Sequence, residues 1–168
     1  MTYTLGIDIG TYQTKGVLVD GDGAVIAEAR ADHDMLVPQP GWAEHRPEQD
    51  WWGDLVTVSR AILAASGVAA RDIAGLAVSA IGPCMLPVDA GGKALMNGVL
   101  YGVDTRAGAE IDELTSRIGE DVILDRCGNA LTSQSVGPKL LWLRRNRPEV
   151  FESATKIVSS TTYLVQRL

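Results

Sequence analysis

The segment GIDIGTYQTKG, residues 6–16, brings residue types that can do chemistry together near the start of the chain. Side chains alternate between the two faces of a strand, so a strand through residues 5–9 places Asp8 on a face that it shares with Gly6 and Gly10. A carboxylate on so bare a face is open to a cation, and magnesium bound to a nucleotide keeps waters that one carboxylate can orient. Asp8 is therefore a candidate metal-binding residue.

The turn after Asp8 supplies hydrogen-bond donors and a positive charge. Gly10 lets the backbone approach a ligand closely, the hydroxyls of Thr11 and Thr14 can donate to phosphate oxygens, and Lys15 adds a cation. The segment has neither the GxxxxGK[ST] pattern nor a GxGxxG that opens a helix, because a second strand follows the turn. Two interpretations stay open from these residues alone: a phosphate-binding turn, or a tight Gly/Thr hairpin that Asp8 caps.

The composition of the chain argues against several classes of protein. With 168 residues, of which 46% are hydrophobic and 21% charged, the chain can bury the core of one domain or of the larger part of one. A net charge of -6 argues against general binding to nucleic acid or to an anionic membrane, because both need a basic surface. Cys84 and Cys127 form no CxxC pair, which indicates neither a disulfide framework nor a zinc site and favours a reducing cytoplasm.

Two further patterns bear on location and on histidine chemistry. Met1 is not followed by a basic and then apolar leader, and no apolar run approaches the roughly 20 residues of a membrane span, so we expect a cytoplasmic protein. His33 and His45 lie in a polar, proline-bearing connection without the spacing of metal ligands. We expect both to be exposed loop residues.

The first half of the sequence predicts a layered α/β domain. Residues 4–9, 15–19 and 24–29 are short runs rich in Val and Ile, joined by turn residues, and predict an antiparallel meander. Pro47 then opens a helix with apolar residues at helical spacing, and Gly67 ends it. The run IAGLAVSA, residues 73–80, lacks alternation and predicts a buried, central strand.

The second half predicts mainly helices after one hairpin. Residues 85–88 and 93–95 flank a turn at Asp89–Gly92 and predict the hairpin. A helix that ends at Gly119 is predicted because Ile111, Leu114 and Ile118 share one helical face. Two more helices are predicted, from Pro138 to Arg147 and from Ser160 to Leu168, and a short strand at 156–159.

Four separated motifs give the sequence a family resemblance. GIDIGTYQTKGVLVD is followed by Trp-Ala-Glu with RPEQDWW, then by LYGVDTRA, then by VGPKLLWLRRNRPEVF. In this order they resemble the amino-terminal part of the FGGY family of carbohydrate kinases, from about Thr4 to Leu168. The resemblance implies the ribonuclease-H-like fold of actin-like ATPases, an α/β fold with a mixed sheet flanked by helices. Residues 1–168 would be an incomplete first domain, and the second, adenosine-binding domain would lie outside this chain.

The resemblance also implies roles for individual residues. With ATP and Mg²⁺ as cofactors, Asp8 would lie near the metal, and the first phosphate loop would hold Gly10, Thr11, Thr14 and Lys15. The sugar or polyol would lie near Gly82 and Pro83, where family members often carry a polar or charged pair, and near Tyr101, Asp104, Arg106 and Gln134. A plainer interpretation makes Asp104 the cap of the next helix and Arg106 a surface residue. The cap is compatible with the substrate role, and we expect both for Asp104.

The expected function is that of a kinase fragment. The family's general base is an Asp in a segment beyond Leu168, so no residue here takes the catalytic role, and we expect this chain alone to be inactive. The chain would be the amino-terminal portion of an ATP-dependent kinase for a small sugar or polyol, such as a ketopentose or a tetritol. One alternative is a naturally truncated, noncatalytic binding or assembly module whose exposed apolar surface favours a homo-oligomer. Another is a fragment of an actin-like ATPase or chaperone, which would not carry both later motifs.

Overall fold

The computed structural model of the protein describes residues 2–168, which form two compact units. The first unit holds the described residues up to Met35 with Arg46–Ile81 and Thr161–Leu168, and the second holds Leu36–His45 and Gly82–Ser160. None of the helices in residues 2–168 has the length and hydropathy that a membrane crossing requires.

The elements follow one another with short connections. In chain order the strands are β1 (Tyr3–Ile9), β2 (Gln13–Val19), β3 (Val25–Asp32), β4 (Glu44–His45), β5 (Ile73–Ala80), β6 (Leu86–Val88), β7 (Gly98–Val99) and β8 (Lys156–Val158). The helices are α1 (Asp54–Ser66), α2 (Gly108–Ile118), α3 (Glu120–Cys127), α4 (Val136–Asn146), α5 (Pro148–Ser153) and α6 (Ser160–Val165).

The first unit is built on a four-stranded sheet in the order β3-β2-β1-β5. β1, β2 and β3 form the antiparallel meander that the sequence predicts, whereas β5 pairs in parallel with β1. A parallel neighbour needs a crossover connection, and here the chain passes through α1 between β3 and β5. The sheet is therefore mixed, and its two innermost strands are β1 and β2.

The helix α1 covers one face of this sheet. A π-helical segment, Pro47–Gly53, precedes it, and Gly67, with a φ of 67°, provides the left-handed conformation of its C-cap. Val58 and Ile62 of α1 lie directly over Gly16 of β2. The helix predicted between Pro47 and Gly67 is thus confirmed, with its first turns in the wider π form. Its buried side chains recur at helical spacing: Leu55, Val58 and Ile62.

The strand β5 does not match its prediction. The run IAGLAVSA predicts a central, buried strand, but β5 lies at an edge of the sheet. All eight of its residues are exposed or half-buried, and Leu76 is 38% exposed. Hydrophobic patterning indicates how apolar a strand is, but it does not indicate which strands lie beside it in the sheet. Within residues 2–168, β5 has one strand partner, β1. A long, uncharged edge strand is a place where another strand can pair.

The second unit combines helices α2–α5 with two short sheets, β4–β7 and β6–β8. A cluster of buried side chains forms its core, with partly buried residues such as Trp42 and Leu140 packed against it. The core residues are Met85, Val99, Ala107, Trp142 and Leu143.

The hairpin predicted at the start of the second unit forms over a short length. Ala94 bridges Val88, and the amides of Asp89 and Leu95 donate to the carbonyls of Lys93 and Pro87 at 3.0 Å each. The sequence did not predict that β6 also pairs with β8. The predicted turn is present, because Asp89 Oδ1 accepts hydrogen bonds from two backbone amides at 2.9 Å each, those of Gly91 and Lys93. Turn chemistry is local and readable from sequence, whereas the partner of β6 lies about 70 residues away in the chain.

Candidate functional site

The motif at residues 6–16 forms the end of the β1–β2 hairpin. β1 and β5 are parallel, so their carboxyl ends, at Ile9 and Ala80, lie at the same edge of the sheet. The Gly10 amide closes the turn by donating to the Gln13 carbonyl at 2.9 Å, and a Cβ on Gly10 would lie 3.2 Å from that oxygen. Ligands of open α/β sheets bind outside the carboxyl ends of parallel strands, which makes this edge the candidate site of the first unit.

Strand register places four polar side chains in one row across the sheet beside this edge. Arg30 pairs with Lys15, Lys15 with Asp8, and Asp8 with Ser79. All four line a concave surface that encloses a volume of about 440 Å³. The row carries two cations and one carboxylate, and Glu28, which lines the same surface, brings the charges of that surface into balance. The motif alone identified Asp8 and Lys15, and strand register is the signal that adds Arg30 and Ser79.

The Thr14 side chain does not belong to the polar row. Thr14 is fully buried, and its hydroxyl donates to Asp54 Oδ2, at the start of α1, at 3.0 Å. Because side chains alternate along β2, Thr14 lies on the face that α1 covers, while Lys15 lies on the opposite face. The Thr14 hydroxyl therefore fastens β2 to α1 and is directed away from Asp8. Thr11, within the turn, is half-buried.

The expectation that both histidines are exposed loop residues is wrong. The His33 side chain is 3% exposed, and His45 in β4 is fully buried. His33 Nδ1 lies 2.7 Å from Asp54 Oδ2, and Nε2 lies 3.1 Å from the Gly10 carbonyl oxygen. The reason is register: the alternation of β3, in which odd-numbered residues are the more buried, continues one residue past Asp32 and turns His33 inward. The alternation predicts an inward side chain at residue 33, whereas the polar composition around it suggested an exposed loop.

In the second unit, three of the predicted substrate-contacting residues lie close together. A Cβ on Gly82 would lie 3.0 Å from the Tyr101 ring, so a larger residue at this position would require the ring to shift. Gln134 lies beside the next residue, since a Cβ on Gly102 would be 3.9 Å from its Cγ. Pro83 is exposed next to Gly82. Gly82, Tyr101 and Gln134 thus form one cluster, which we call the Tyr101 cluster.

A buried lysine holds the Tyr101 cluster together. Lys139 is 1% exposed, and its Nζ donates to the carbonyl oxygens of Leu100 and Ser133, each at 2.7 Å. The Ser133 hydroxyl also donates to the Gly102 carbonyl at 2.8 Å. Burial lowers the pKa of Lys139, an effect that the nearby Asp104 carboxylate opposes. The sequence predicted only that Lys139 lies in a helix. The residues next to it in the chain do not indicate that its ammonium group contacts two distant backbone segments.

Asp104 and Arg106 form a buried ion network, not a helix cap and a surface residue. Both side chains are 0% exposed, and the Arg106 guanidinium donates to the carboxylates of Asp104 at 2.8 Å and Glu44 at 2.8 Å. Asp104 Oδ2 also accepts from the Ala43 amide at 2.7 Å. Arg106 lies over the Trp42 ring, 4.0 Å from its centroid. With these protein partners, Asp104 and Arg106 position the segment that carries Tyr101, whereas helix α2 begins later, at Gly108.

We expect only Cys127 to react with an alkylating reagent in the folded protein. Cys84, two residues after Gly82, is 2% exposed, and burial raises its pKa to about 11, whereas Cys127 is exposed. The thiolate is the reactive form, so a raised pKa and lack of access both protect Cys84. Mass spectrometry after timed alkylation near neutral pH should show one label on the native chain and two after denaturation.

The variant Cys127→Ser is the control for this measurement, since it should take up no label until it unfolds. Rapid labelling of Cys84 in the native variant would contradict the prediction and would mean that the segment holding Gly82 opens readily.

A mixed sheet with a polar row at the carboxyl ends of its parallel strands is the arrangement expected of α/β proteins that bind phosphorylated ligands. Comparison with known proteins gives the particular family. The model of the FGGY family of carbohydrate kinases, N-terminal domain, matches residues 3–168, and the chain belongs to this family.

The relatives are carbohydrate kinases about three times as long as this chain. The xylulose kinase of Lactococcus lactis is 32% identical over 164 residues, which are 98% of this chain and 32% of that protein. The glycerol kinase of Corynebacterium efficiens is 32% identical over 160 residues, 92% of this chain and 30% of that protein. The crystal structure of xylulose kinase from Rhodospirillum rubrum matches with a TM-score of 0.91 and 31% identity, covering 99% of this chain and 34% of that one.

These comparisons confirm the family resemblance and the fold class that the sequence implies. The chain has the actin-like ATPase fold of the sugar kinases, with a mixed sheet flanked by helices. It spans about a third of the length of the relatives that it matches.

Proposed function

We propose that this chain is the amino-terminal portion of an ATP-dependent kinase that phosphorylates a hydroxyl of a small sugar or polyol. Membership of the carbohydrate kinase family supports the reaction class. The observation that carries the proposal is the position of Asp8, exposed at the carboxyl ends of β1 and β5 in a row with Lys15 and Arg30. Phosphoryl transfer depends mainly on positioning and on electrostatic stabilisation, and this row offers charges of both signs.

The groups in the first unit fit Mg²⁺ and a triphosphate. A metal that keeps its waters needs only one or two carboxylates, and Asp8 is available on the open face of the sheet. Lys15 and Arg30 would hold phosphate oxygens, with Thr11 of the turn as a further donor. The Gly10 amide is already bound to the Gln13 carbonyl, so Gly10 would serve by allowing close approach. When bound, the magnesium triphosphate supplies the phosphoryl group.

The Tyr101 cluster would hold the sugar or polyol. The phenol of Tyr101 and the amide of Gln134 can each donate and accept hydrogen bonds from hydroxyl groups. Gly82 and Pro83 offer no polar side chain, so recognition there would depend on shape. Asp104 and Arg106 would act through their buried network, by holding the Tyr101 segment in place. Hydrogen-bonding sites discriminate strongly between substrates, which makes Tyr101 and Gln134 the residues to vary first.

The proton of the attacking hydroxyl needs an acceptor, and we assign that role to no residue of this chain. By resemblance to the family, the base and the adenosine-binding domain follow Leu168. The 168-residue chain alone would therefore lack turnover, and the complete kinase would work in the cytoplasm.

A second candidate function is that of a noncatalytic binding or assembly module, for which the edge strand β5 is the supporting observation. β5 is uncharged and partly exposed, so it could pair with a second copy of the chain. Such a module would form homo-oligomers, whereas a kinase that continues beyond Leu168 has further chain with which to cover β5.

The intact mass of the gene's product from its native cell separates the two candidates. A mass well above the 17.9 kDa of this chain, with phosphorylation of one member of a panel of ketopentoses, tetritols and glycerol by that product, is the result expected of the kinase. A product of 17.9 kDa that forms oligomers and transfers no phosphate from MgATP would overturn the kinase proposal.

A further inference from the structure

His33 contacts the turn at residues 10–13 without being part of the motif. We propose that His33, held as an imidazolium by Asp54, is a positioning residue that fixes the backbone of the turn at residues 10–13. The proposal rests on the proposed function, because it concerns the phosphate site of the same kinase. It assigns a role to two residues, His33 and Asp54, that neither the motif nor the family resemblance identified.

Both ring nitrogens of His33 face acceptor atoms. Nδ1 faces an Asp54 carboxylate oxygen at 2.7 Å, and Nε2 faces the Gly10 carbonyl oxygen at 3.1 Å. Both partners can only accept, whereas a neutral imidazole carries one N–H and one lone pair. The two hydrogen bonds therefore coexist only when both ring nitrogens carry hydrogen. Asp54 Oδ2 provides the opposite charge and also accepts from the Thr14 hydroxyl at 3.0 Å.

His33 binds the turn at two carbonyl groups, and a third is bound within the turn itself. The His33 ring donates to the Gly10 carbonyl, the His33 backbone amide donates to the Tyr12 carbonyl at 3.0 Å, and the Gly10 amide donates to the Gln13 carbonyl at 2.9 Å. A carbonyl oxygen that points at a phosphate repels it. Holding three carbonyl oxygens of the turn on donors of the protein therefore keeps them away from an anion.

The test uses the 168-residue chain and magnesium tripolyphosphate, a probe that needs the turn but no adenosine pocket. The variants are His33→Phe and His33→Leu, each of which removes both ring hydrogen bonds. We expect each to weaken binding about tenfold, the size expected for the loss of one charge-assisted hydrogen bond. Asp54→Asn should weaken binding less, because a neutral imidazole with hydrogen on Nε2 can still donate to the Gly10 carbonyl while the new side-chain amide donates to Nδ1.

The matched control is Asp34→Asn, which removes an exposed carboxylate one residue from His33. It should bind the probe as the natural chain does. Affinity is followed by the NMR shifts of the amides of residues 10–13. Unchanged affinity in His33→Phe or in His33→Leu, with the natural chain binding, would overturn the proposal. If one of these two variants fails to fold, the other decides this point.

A second measurement needs no ligand and separates this proposal from the proposed function. Nitrogen-15 spectra of His33 near neutral pH should show two protonated ring nitrogens in the natural chain and one in Asp54→Asn, and the Gly10 carbonyl carbon should shift in His33→Phe. One unprotonated ring nitrogen in the natural chain would overturn the inference even if tripolyphosphate binds. Absence of tripolyphosphate binding beside two protonated nitrogens would count against the phosphate site and leave the His33 link standing.

Discussion

Replacing Asp8 by Asn in the complete gene product is expected to lower sugar-dependent turnover by on the order of 100-fold or more while the fold stays intact. Asparagine has nearly the same shape as aspartate but no charge with which to orient a hydrated cation. Asp8 is exposed, and its strand pairs through the backbone, so the substitution removes little that the fold needs. Initial rates with MgATP and the preferred sugar, compared with the thermal midpoint, measure the two effects separately.

The matched control is Asp22→Asn, which removes a carboxylate from the exposed turn between β2 and β3. That variant should keep both turnover and thermal midpoint, since the turn is held by the neighbouring Asp20 side chain. Equal turnover in Asp8→Asn and the natural enzyme would remove Asp8 from the site. A large fall in the thermal midpoint of Asp8→Asn would show a structural role instead.

Local patterns in the sequence predicted the elements of the first unit well. The meander follows from three alternating runs separated by turn residues, and the end of α1 follows from Gly67, which adopts the left-handed conformation that favours glycine. Each of these features depends on residues close together in the chain. The same holds for α2, which ends at Ile118 before Gly119, and for α4, which reaches Asn146 before Pro148.

Features that depend on distant partners could not be read in the same way. The apolar run of β5 predicted a central strand, yet its place at the edge depends on which other strands are present. The pairing of β6 with β8, and the contact of Lys139 with Leu100, likewise join residues far apart in sequence. Burial of polar groups is hardest to predict, because a lysine or a histidine becomes a core residue only when its acceptors are in place.

The candidate site shows the same division. The motif predicted Asp8 and Lys15 because a strand's alternation puts accessible groups on one face, but it grouped Thr14 with them although Thr14 lies on the other face. The alternation of side chains could have placed Thr14 and Lys15 on opposite faces of β2, but the face that each shares with Asp8 depends on the length of the turn. Arg30 joins the polar row through the β2–β3 register, which a bulge at Leu18 and Val19 shifts by one residue.

The last residue of the motif, Gly16, is expected to serve packing and not ligand binding. A Cβ at this position would lie 2.5 Å from Val58 Cγ1, 2.7 Å from Ile62 Cδ1 and 2.8 Å from Ile7 Cδ1. The two isoleucine atoms are the ends of flexible side chains, but Val58 is fully buried and stiff at χ1. We expect Gly16→Ala to lower the free energy of unfolding by about 1–3 kcal/mol, the usual cost of overpacking a core. Urea unfolding of the 168-residue chain measures this change.

A control substitution and a double-mutant cycle show whether contact with Val58 is the cause. Gly137→Ala makes the same substitution in helix α4, where nothing lies within 4 Å of the added carbon, so it should raise stability by a few tenths of a kcal/mol, about half the propensity gain in a helix interior. Val58→Ala should destabilise the natural chain by leaving a cavity, yet in the Gly16→Ala background the new methyl group fills part of that space. The double variant should therefore be more stable than the sum of the single effects implies. Strict additivity would mean that the backbones of β2 and α1 move apart to admit the methyl group, and that Gly16 does not set their spacing.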